Sequence, residues 1–240
     1  MLFRSTDLTD VQSLWYSPVA TMHFVPTQEI RQQAYENDIP ATRVRVTGLP
    51  VDPEFAREQR SKSELRQELD WLTEPPTCLV VASPRTQTMA KASNYLSQIE
   101  DLQVVVVCGG NSQLYKQLES LSEQDSFHLY DWADNMPQLM QAADFIVSKA
   151  GGLIVSEALA CGLPMILAEA LPGQETGNMH HVVENQAGAW APGPSEVMVT
   201  AISWLKNEGA HLKQFQKNAQ DLGKPQAAYK IAKSVWGLSA

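Results

Sequence analysis

The stretch DFIVSKAGGLIVSEALACGLPMILAEALPGQETGNMHHVVEN, residues 144–185, alternates two short apolar runs with two helical patterns and sets a polar turn after each run. Phe145, Ile146 and Val147 read as a buried strand, and residues 153–160 place apolar side chains at helical spacing. Between them lies Lys149-Ala150-Gly151-Gly152. Two residues without a Cβ give the backbone access to positive φ and let a ligand come close to it. The turn also opens a helix, whose first N–H groups lack intrahelical partners and carry the positive end of its dipole, a natural seat for a diphosphate. Glu157 follows about one turn into that helix, and its two carboxylate oxygens can accept both hydroxyls of a ribose. Gly162 and Pro164 predict a left-handed cap and a stop. Residues 165–168 then read as a second strand, and Pro172-Gly173-Gln174-Glu175 as a tight polar loop running toward Asn178. Two successive strand ends thus bring a glycine turn and a polar loop to one edge of a sheet, where open α/β folds bind ligands.

Outward from this stretch the same alternation continues. Strands are predicted at 78–82, 104–108, 127–130, 145–147, 165–168 and 188–191, with helices at 88–99, 113–121, 136–142, 153–161 and 178–185 between them. Residues 61–72 read as an amphipathic helix with Leu65, Leu69 and Leu72 on its apolar face, Ser61 or Ser63 as its cap and Pro75-Pro76 as its stop. Helices over 196–207, 210–222 and 225–236 close the chain. Ahead of all this, 2–8, 23–26 and 44–46 read as strands and 28–37 as a helix. The expected class is α/β, a Rossmann-like parallel sheet with crossover helices over 73–225, preceded by a linker and helix at 51–72 and by the end of another unit at 1–50, and followed by a last helix in 226–240.

KAGGLIVSEALACGLPMIL (149–167) followed by PGQETGN (172–178) resembles the donor-binding half of GT-B glycosyltransferases, in particular the diacylglycerol glycosyltransferases and the lipid II N-acetylglucosaminyltransferase. The Pro-Gly-Gln-Glu loop is most similar to the glycolipid branch, which includes monogalactosyldiacylglycerol synthase and the diacylglycerol glucosyltransferases. FVPTQEIRQQAYENDIPATRVRVTGLPVDPEF (24–55) resembles the end of the N-terminal domain of those enzymes and the hinge that follows. By that resemblance, residues 1–50 are a remnant of the acceptor-side domain and the last helix crosses back toward it.

The resemblance also implies roles. Amides after Gly151 and Gly152 would receive the diphosphate of a UDP-sugar, Glu157 the ribose hydroxyls, and Gln174 and Glu175 hydroxyls of the donor sugar. Lys149 either neutralises phosphate or simply ends a strand, and Asn178 either contacts the donor or caps the helix it opens. YDWADNMPQLMQAADFIVSKAGG (130–152) is similar to the aromatic clamp of the family, which makes Trp132 a neighbour of the uracil ring or, alternatively, a core tryptophan. Asp131 stands where relatives often carry glycine. After the strand at 78–82 relatives carry glycines and small residues, whereas this chain has Ser83-Pro84-Arg85-Thr86-Gln87. Ser83 and Arg85 are candidate phosphate partners there, Arg85 through its forked guanidinium, unless Pro84 closes the loop. Near Asp7-Leu8 the family usually leads to a histidine, and here Val11-Gln12-Ser13-Leu14-Trp15 stands instead. The general base is expected from a preceding half, so no catalytic residue is assigned.

Composition narrows the partners. The 240 residues are 44% hydrophobic, and 27 acidic against 18 basic residues leave a net charge of −9, which argues against nonspecific nucleic-acid binding. Cys78, Cys108 and Cys161 sit in or beside apolar runs without metal spacing, and the adjacent His180 and His181 point to different helix faces. With no Asp-x-Asp sequence either, neither a metal nor any other cofactor is expected beyond the UDP-sugar itself. No run approaches membrane-spanning length and MLFR at 1–4 lacks a signal-peptide layout, so a reducing cytoplasm is expected, with peripheral membrane contact implied by the family. The expected function is hexose transfer from a UDP-sugar to a lipid acceptor such as diacylglycerol, in glycolipid synthesis. The chain would be the donor half, completed by an N-terminal half or a partner chain. Two other readings stay open: a noncatalytic UDP-sugar-binding or regulatory subunit, and a structural protein that dimerises through the exposed half-cleft.

Overall fold

The computed structural model describes residues 2–4, 7–9, 11–58, 60–83 and 88–239. The chain runs β1 (Leu2–Arg4), β2 (Met22–Val25), α1 (Gln28–Glu36), β3 (Val44–Val46), α2 (Lys62–Glu68), β4 (Thr77–Val81), α3 (Met89–Leu96), β5 (Gln103–Val107), α4 (Ser112–Leu118) and β6 (Phe127–Tyr130). It continues with α5 (Met136–Ala142), β7 (Phe145–Lys149), α6 (Gly152–Ala160), β8 (Met165–Glu169), α7 (Thr176–Glu184), β9 (Gly188–Trp190), α8 (Pro194–Leu222) and α9 (Ala227–Ser239). β1, β2 and β3 pair in parallel as a small sheet, and the other six strands form a parallel sheet in the order β6-β5-β4-β7-β8-β9.

The apolar runs become strands covered on both faces. Side chains alternate across a strand, so Leu79, Val105, Ile146 and Leu167 enter one core with Leu65, Leu139, Val155 and Val182, while Val80, Val106, Val147 and Ile166 enter the other with Leu96, Leu118, Val197 and Trp204. Burial of both faces is why these strands read as continuous hydrophobic runs rather than alternating ones. The chain lays down β4 in the middle, moves outward through β5 to β6, then returns to β7 on the other side of β4. The carboxyl ends of β4 and β7 therefore flank the point where strand order reverses, the crevice in which such sheets take ligands.

Asp144, just before β7, fastens this centre to the linker helix. Its carboxylate accepts from Lys62 Nζ at 2.7 Å, Arg66 Nη2 at 2.6 Å and the Thr77 amide at 2.8 Å. Burial alone would raise its pKa, but Lys62 and Arg66 hold it below the ordinary carboxylate value.

Several boundaries differ from expectation for local reasons. α2 stops at Glu68 because Asp70 adopts φ 56°, which leaves Leu72 exposed rather than on the apolar face. Its start is as expected: Ser61 and Glu64 form a reciprocal capping box. The two helices expected over 196–222 are present as the two halves of α8, parted at 206–209, where Asn207, Glu208 and Gly209 have positive φ. α9 lies against the small sheet, with Arg45 Nη1 donating to Ser234 Oγ at 3.0 Å.

Candidate functional site

The turn after β7 is shaped by the strand before it. Register slips between Ser148 and Lys149, so Lys149 pairs with Glu169 on β8, and such an irregularity re-aims a side chain at a strand end. Lys149 thereby forms an ion pair with Glu175 from the next loop. Gly151 is the N-cap of α6 with φ −68° and ψ 138°, and neither it nor Gly152 uses positive φ. The glycine leaves room for the neighbouring side chains instead. A Cβ at 151 would stand 3.0 Å from Lys149 Nζ and 3.5 Å from Glu175 Oε1. With no side chain on the cap, the amides at the start of α6 lie open to a ligand. α6 ends as expected, Gly162 at φ 66° with its amide on Leu159 O and the Leu163 amide on Ala158 O, a Schellman pattern.

The β8–α7 loop turns at Pro172-Gly173, with Gly173 at φ 76° and the Gln174 amide bonded to Leu171 O, as a type II turn requires. This projects Gln174 outward. A cleft of about 710 Å³ is lined by Lys149, Gly151, Gly152, Leu153, Ile154 and Glu157 from the glycine turn and α6, and by Gly173, Gln174 and Glu175 from the loop. Asp7, Gln12 and Trp15 of the N-terminal segment line it as well. The sequence reading thus brings Lys149, Gly151, Gly152, Glu157, Gln174 and Glu175 to one hollow.

Within that hollow two assignments change. Glu175, expected to offer both carboxylate oxygens to a sugar, has a side chain only 9% exposed; one oxygen pairs with Lys149 and the other accepts from the Leu171 amide at 3.1 Å. It braces the loop from beneath. Asn178 is 0% exposed, its Nδ2 donating to Ala150 O at 3.0 Å and its Oδ1 accepting from the Leu8 amide at 2.8 Å. It neither meets the cleft nor caps α7, whose N-cap is Glu175; it ties the N-terminal segment to the residue before the glycine turn.

Two candidates lie away from the cleft. Trp132 is 65% exposed and donates Nε1 to Asp134 Oδ1 at 2.9 Å, so the core alternative is excluded. It follows β6, separated from β7 by β5 and β4 in the sheet. Ser83 is half-buried after β4 at the reversal point, outside the lining of the cleft. Arg85 and the rest of 84–87 lie outside the described residues.

Glu157 is half-buried on the cleft wall, and burial, followed by the charge of Asp52, pushes its pKa up to about 7. Asp52 caps a short turn over Pro53–Ala56 by accepting from the Glu54 amide at 2.9 Å, and Cys161 Sγ donates to Phe55 O at 3.0 Å, which pins that turn to the end of α6. Among the described residues no group of three or more His, Cys, Asp or Glu is placed to hold a metal ion.

The family profile described as UDP-N-acetylglucosamine 2-epimerase matches residues 4–235. The chain belongs to that family. Monogalactosyldiacylglycerol synthase 3 of Arabidopsis thaliana is 32% identical over 243 residues, covering 98% of this chain and 52% of the relative. The spinach monogalactosyldiacylglycerol synthase is 30% identical over 235 residues, with coverages of 94% and 45%. The chain spans about half the length of the curated relatives it matches. A structure of a putative UDP-N-acetylglucosamine 2-epimerase from Listeria monocytogenes superposes with TM-score 0.73 at 17% identity, over 90% of this chain and 59% of that one. S. aureus MnaA with UDP gives 0.68 at 16%, over 93% and 61%. WaaG, a glycosyltransferase of lipopolysaccharide biosynthesis, gives 0.58 at 18%, over 87% and 62%. The kinship with GT-B glycosyltransferases expected from the glycine turn stands, and the fold is the Rossmann-like parallel sheet with crossover helices of that group.

Family membership sharpens what sequence reasoning missed. The 2-epimerase description was not anticipated. Neither was the part played by Asp7, Gln12, Trp15 and Asp52. The signal for Gln12 and Trp15 was present, since the segment that lacks the usual histidine is the one that puts them on the cleft. For Asp52 no local signal existed, because its effect on Glu157 arises only when the hinge folds against α6.

Proposed function

We propose that this chain is the donor-binding half of a hexosyltransferase that moves a sugar from UDP to the hydroxyl of a lipid, diacylglycerol, in glycolipid synthesis. The observation that carries this reading is the meeting of the α6 amides, Glu157 and Gln174 in one cleft at successive strand tips, in a chain related along nearly its whole length to enzymes named for that product. The nucleotide diphosphate sits at the start of α6, where oriented N–H groups stabilise the charge that grows on the leaving group as the acceptor attacks in line. Glu157 as carboxylate accepts the ribose hydroxyls and Gln174 meets the sugar, while Lys149, paired with Glu175, braces the loop beneath them. Trp132 and Ser83 reach the donor only by movement of the loops that carry them. The general base and most of the acceptor pocket come from an N-terminal half or partner chain, with Asp7 and Gln12 at the seam. We place the protein in a reducing compartment at the periphery of a membrane.

A calorimetric titration with UDP tests the donor site without an acceptor: Glu157→Ala is expected to weaken binding at least tenfold, and equal affinity would remove the ribose assignment. Mixing the chain with the complementary half of the Arabidopsis relative, UDP-galactose or UDP-glucose, and vesicles containing diacylglycerol then tests transfer. One observation favours a second reading, epimerisation of UDP-N-acetylglucosamine: the description of the matching family. Appearance of the C2 epimer in an NMR time course with that substrate alone would replace the transferase reading.

A further inference from the structure

Two helices start at the crevice where strand order reverses, and the start of one of them is already filled. α3 follows β4 and α6 follows β7, and the two pack on opposite faces of the sheet. Both therefore present their first amides, the positive end of a helix, to the same crevice. At α6 the cap is Gly151, which has no side chain. At α3 the cap residue Thr88 makes no side-chain cap bond, and its amide donates instead to Glu169 Oε1 at 2.7 Å. A carboxylate from the tip of β8 thus sits at the start of α3.

Glu169 is tied to the glycine turn as well. Its carbonyl accepts from the Ala150 amide at 2.7 Å, one residue before the cap of α6, and the register slip that re-aims Lys149 pairs that lysine with Glu169 along the strands. Residue 169 thereby spans from the turn that opens α6 to the start of α3, outside the lining of the cleft. It reaches a nucleotide in the cleft through its charge and not by contact. The cation at the same strand tip, Lys149, is paired with Glu175. The charge that stabilises the start of α3 is therefore also felt by whatever occupies the start of α6. The two nucleotides of a sugar transfer differ in how strongly they feel it. In a sugar nucleotide the outer phosphate is esterified, whereas in released UDP it is terminal and at pH 8 carries about one more negative charge. A fixed carboxylate nearby repels the second more than the first.

We propose that Glu169 is a specificity-determining residue that tells donor from product: it lowers the affinity of the site for free UDP relative to the sugar nucleotide and so favours product release. This rests on the donor-site reading above and names what discriminates within that site. Calorimetric titrations with UDP, UDP-glucose and uridine at pH 8 test it on wild type and on Glu169→Gln, whose amide oxygen can still accept from the Thr88 amide. Glu169→Gln is expected to tighten UDP more than UDP-glucose, raising the ratio of their affinities roughly threefold to tenfold, and to leave uridine, which has no phosphate, unchanged. The gain is expected to shrink as salt is added. Glu169→Asp, which keeps the charge and shortens the reach, is expected to keep the wild-type ratio. If wild type binds both nucleotides and Glu169→Gln leaves their ratio where it was, this inference falls and the donor site stands. If wild type binds neither, the donor reading fails and takes the inference with it. A change in uridine affinity as large as that in UDP, or a ratio altered as much by Glu169→Asp as by Glu169→Gln, would reduce Glu169 to a cap of α3 and overturn the proposal.

Discussion

Glu157→Gln is the substitution for which the structure makes two opposite demands. The carboxyl group is lifted from the ordinary 4.5 to about 7, by burial first and the charge of Asp52 second. For a group cut off from water that displacement is equivalent to roughly 3 kcal/mol, and partial exposure of the side chain screens it to about 1–2 kcal/mol. Because the folded pKa is raised, the native state holds the proton longer than the unfolded chain. Stability therefore declines as pH rises between 4.5 and about 7 and is level on either side. Glutamine carries no such cost. At pH 8 the variant is expected to be about 1–2 kcal/mol more stable, a rise in Tm of roughly 3–6 °C for a chain of this size, and the difference is expected to close as pH falls toward 4.5. UDP affinity is expected to move the other way, falling roughly tenfold to a hundredfold at pH 8 because a neutral amide replaces a charge-assisted acceptor. Wild-type affinity itself is expected to climb with pH up to about 7 and then level, whereas the variant shows no bend. Thermal melts and UDP titrations across this range check both demands. A variant that melts at or below wild type at pH 8 would refute the cost assigned to the buried carboxylate, and one that keeps wild-type UDP affinity at every pH would refute its contact with nucleotide.

Asp52→Asn removes the second cause of that raised pKa, so the bend in UDP affinity is expected at lower pH with little loss of maximal affinity, read by the same titration series. Lys149→Met leaves the Glu175 carboxylate buried without its cation, at a cost of about 3 kcal/mol, and adding Glu175→Gln is expected to restore much of the melting temperature; if the single and double variants melt alike, the pair is not a brace. Asn178→Ala strands the Leu8 amide and Ala150 carbonyl, destabilising by about 1–3 kcal/mol, and amide exchange at Leu8 is expected to accelerate while that at β5 does not.

Much of the larger sheet was legible because both its faces are covered: a run such as Val104 to Val107 has few other structures open to it. The glycine turn and the left-handed cap at Gly162 were legible for the same local reason, a backbone requirement that few residues satisfy. What escaped was everything decided by long-range contact. Glu175 and Gln174 are neighbours of similar polarity, and only the re-aimed Lys149 determines that one turns inward and the other outward. Asn178 reads as a ligand or a cap until the strand end and the N-terminal segment both arrive at its amide. α2 ended early because Asp70 takes a left-handed conformation that the spacing of Leu65, Leu69 and Leu72 could not announce.

The amide of Asn178 gives the two parts of the molecule a common fate. Its two bonds span from Leu8, in the segment that walls the cleft, to Ala150, one residue ahead of the glycine turn. A swing of the N-terminal segment away from the large sheet must first wet a carboxamide that is dry at rest, and the strain arrives at the turn that opens α6. On the donor-site reading proposed above, parting the two sheets and loosening the hold on a nucleotide are, through this one side chain, the same event.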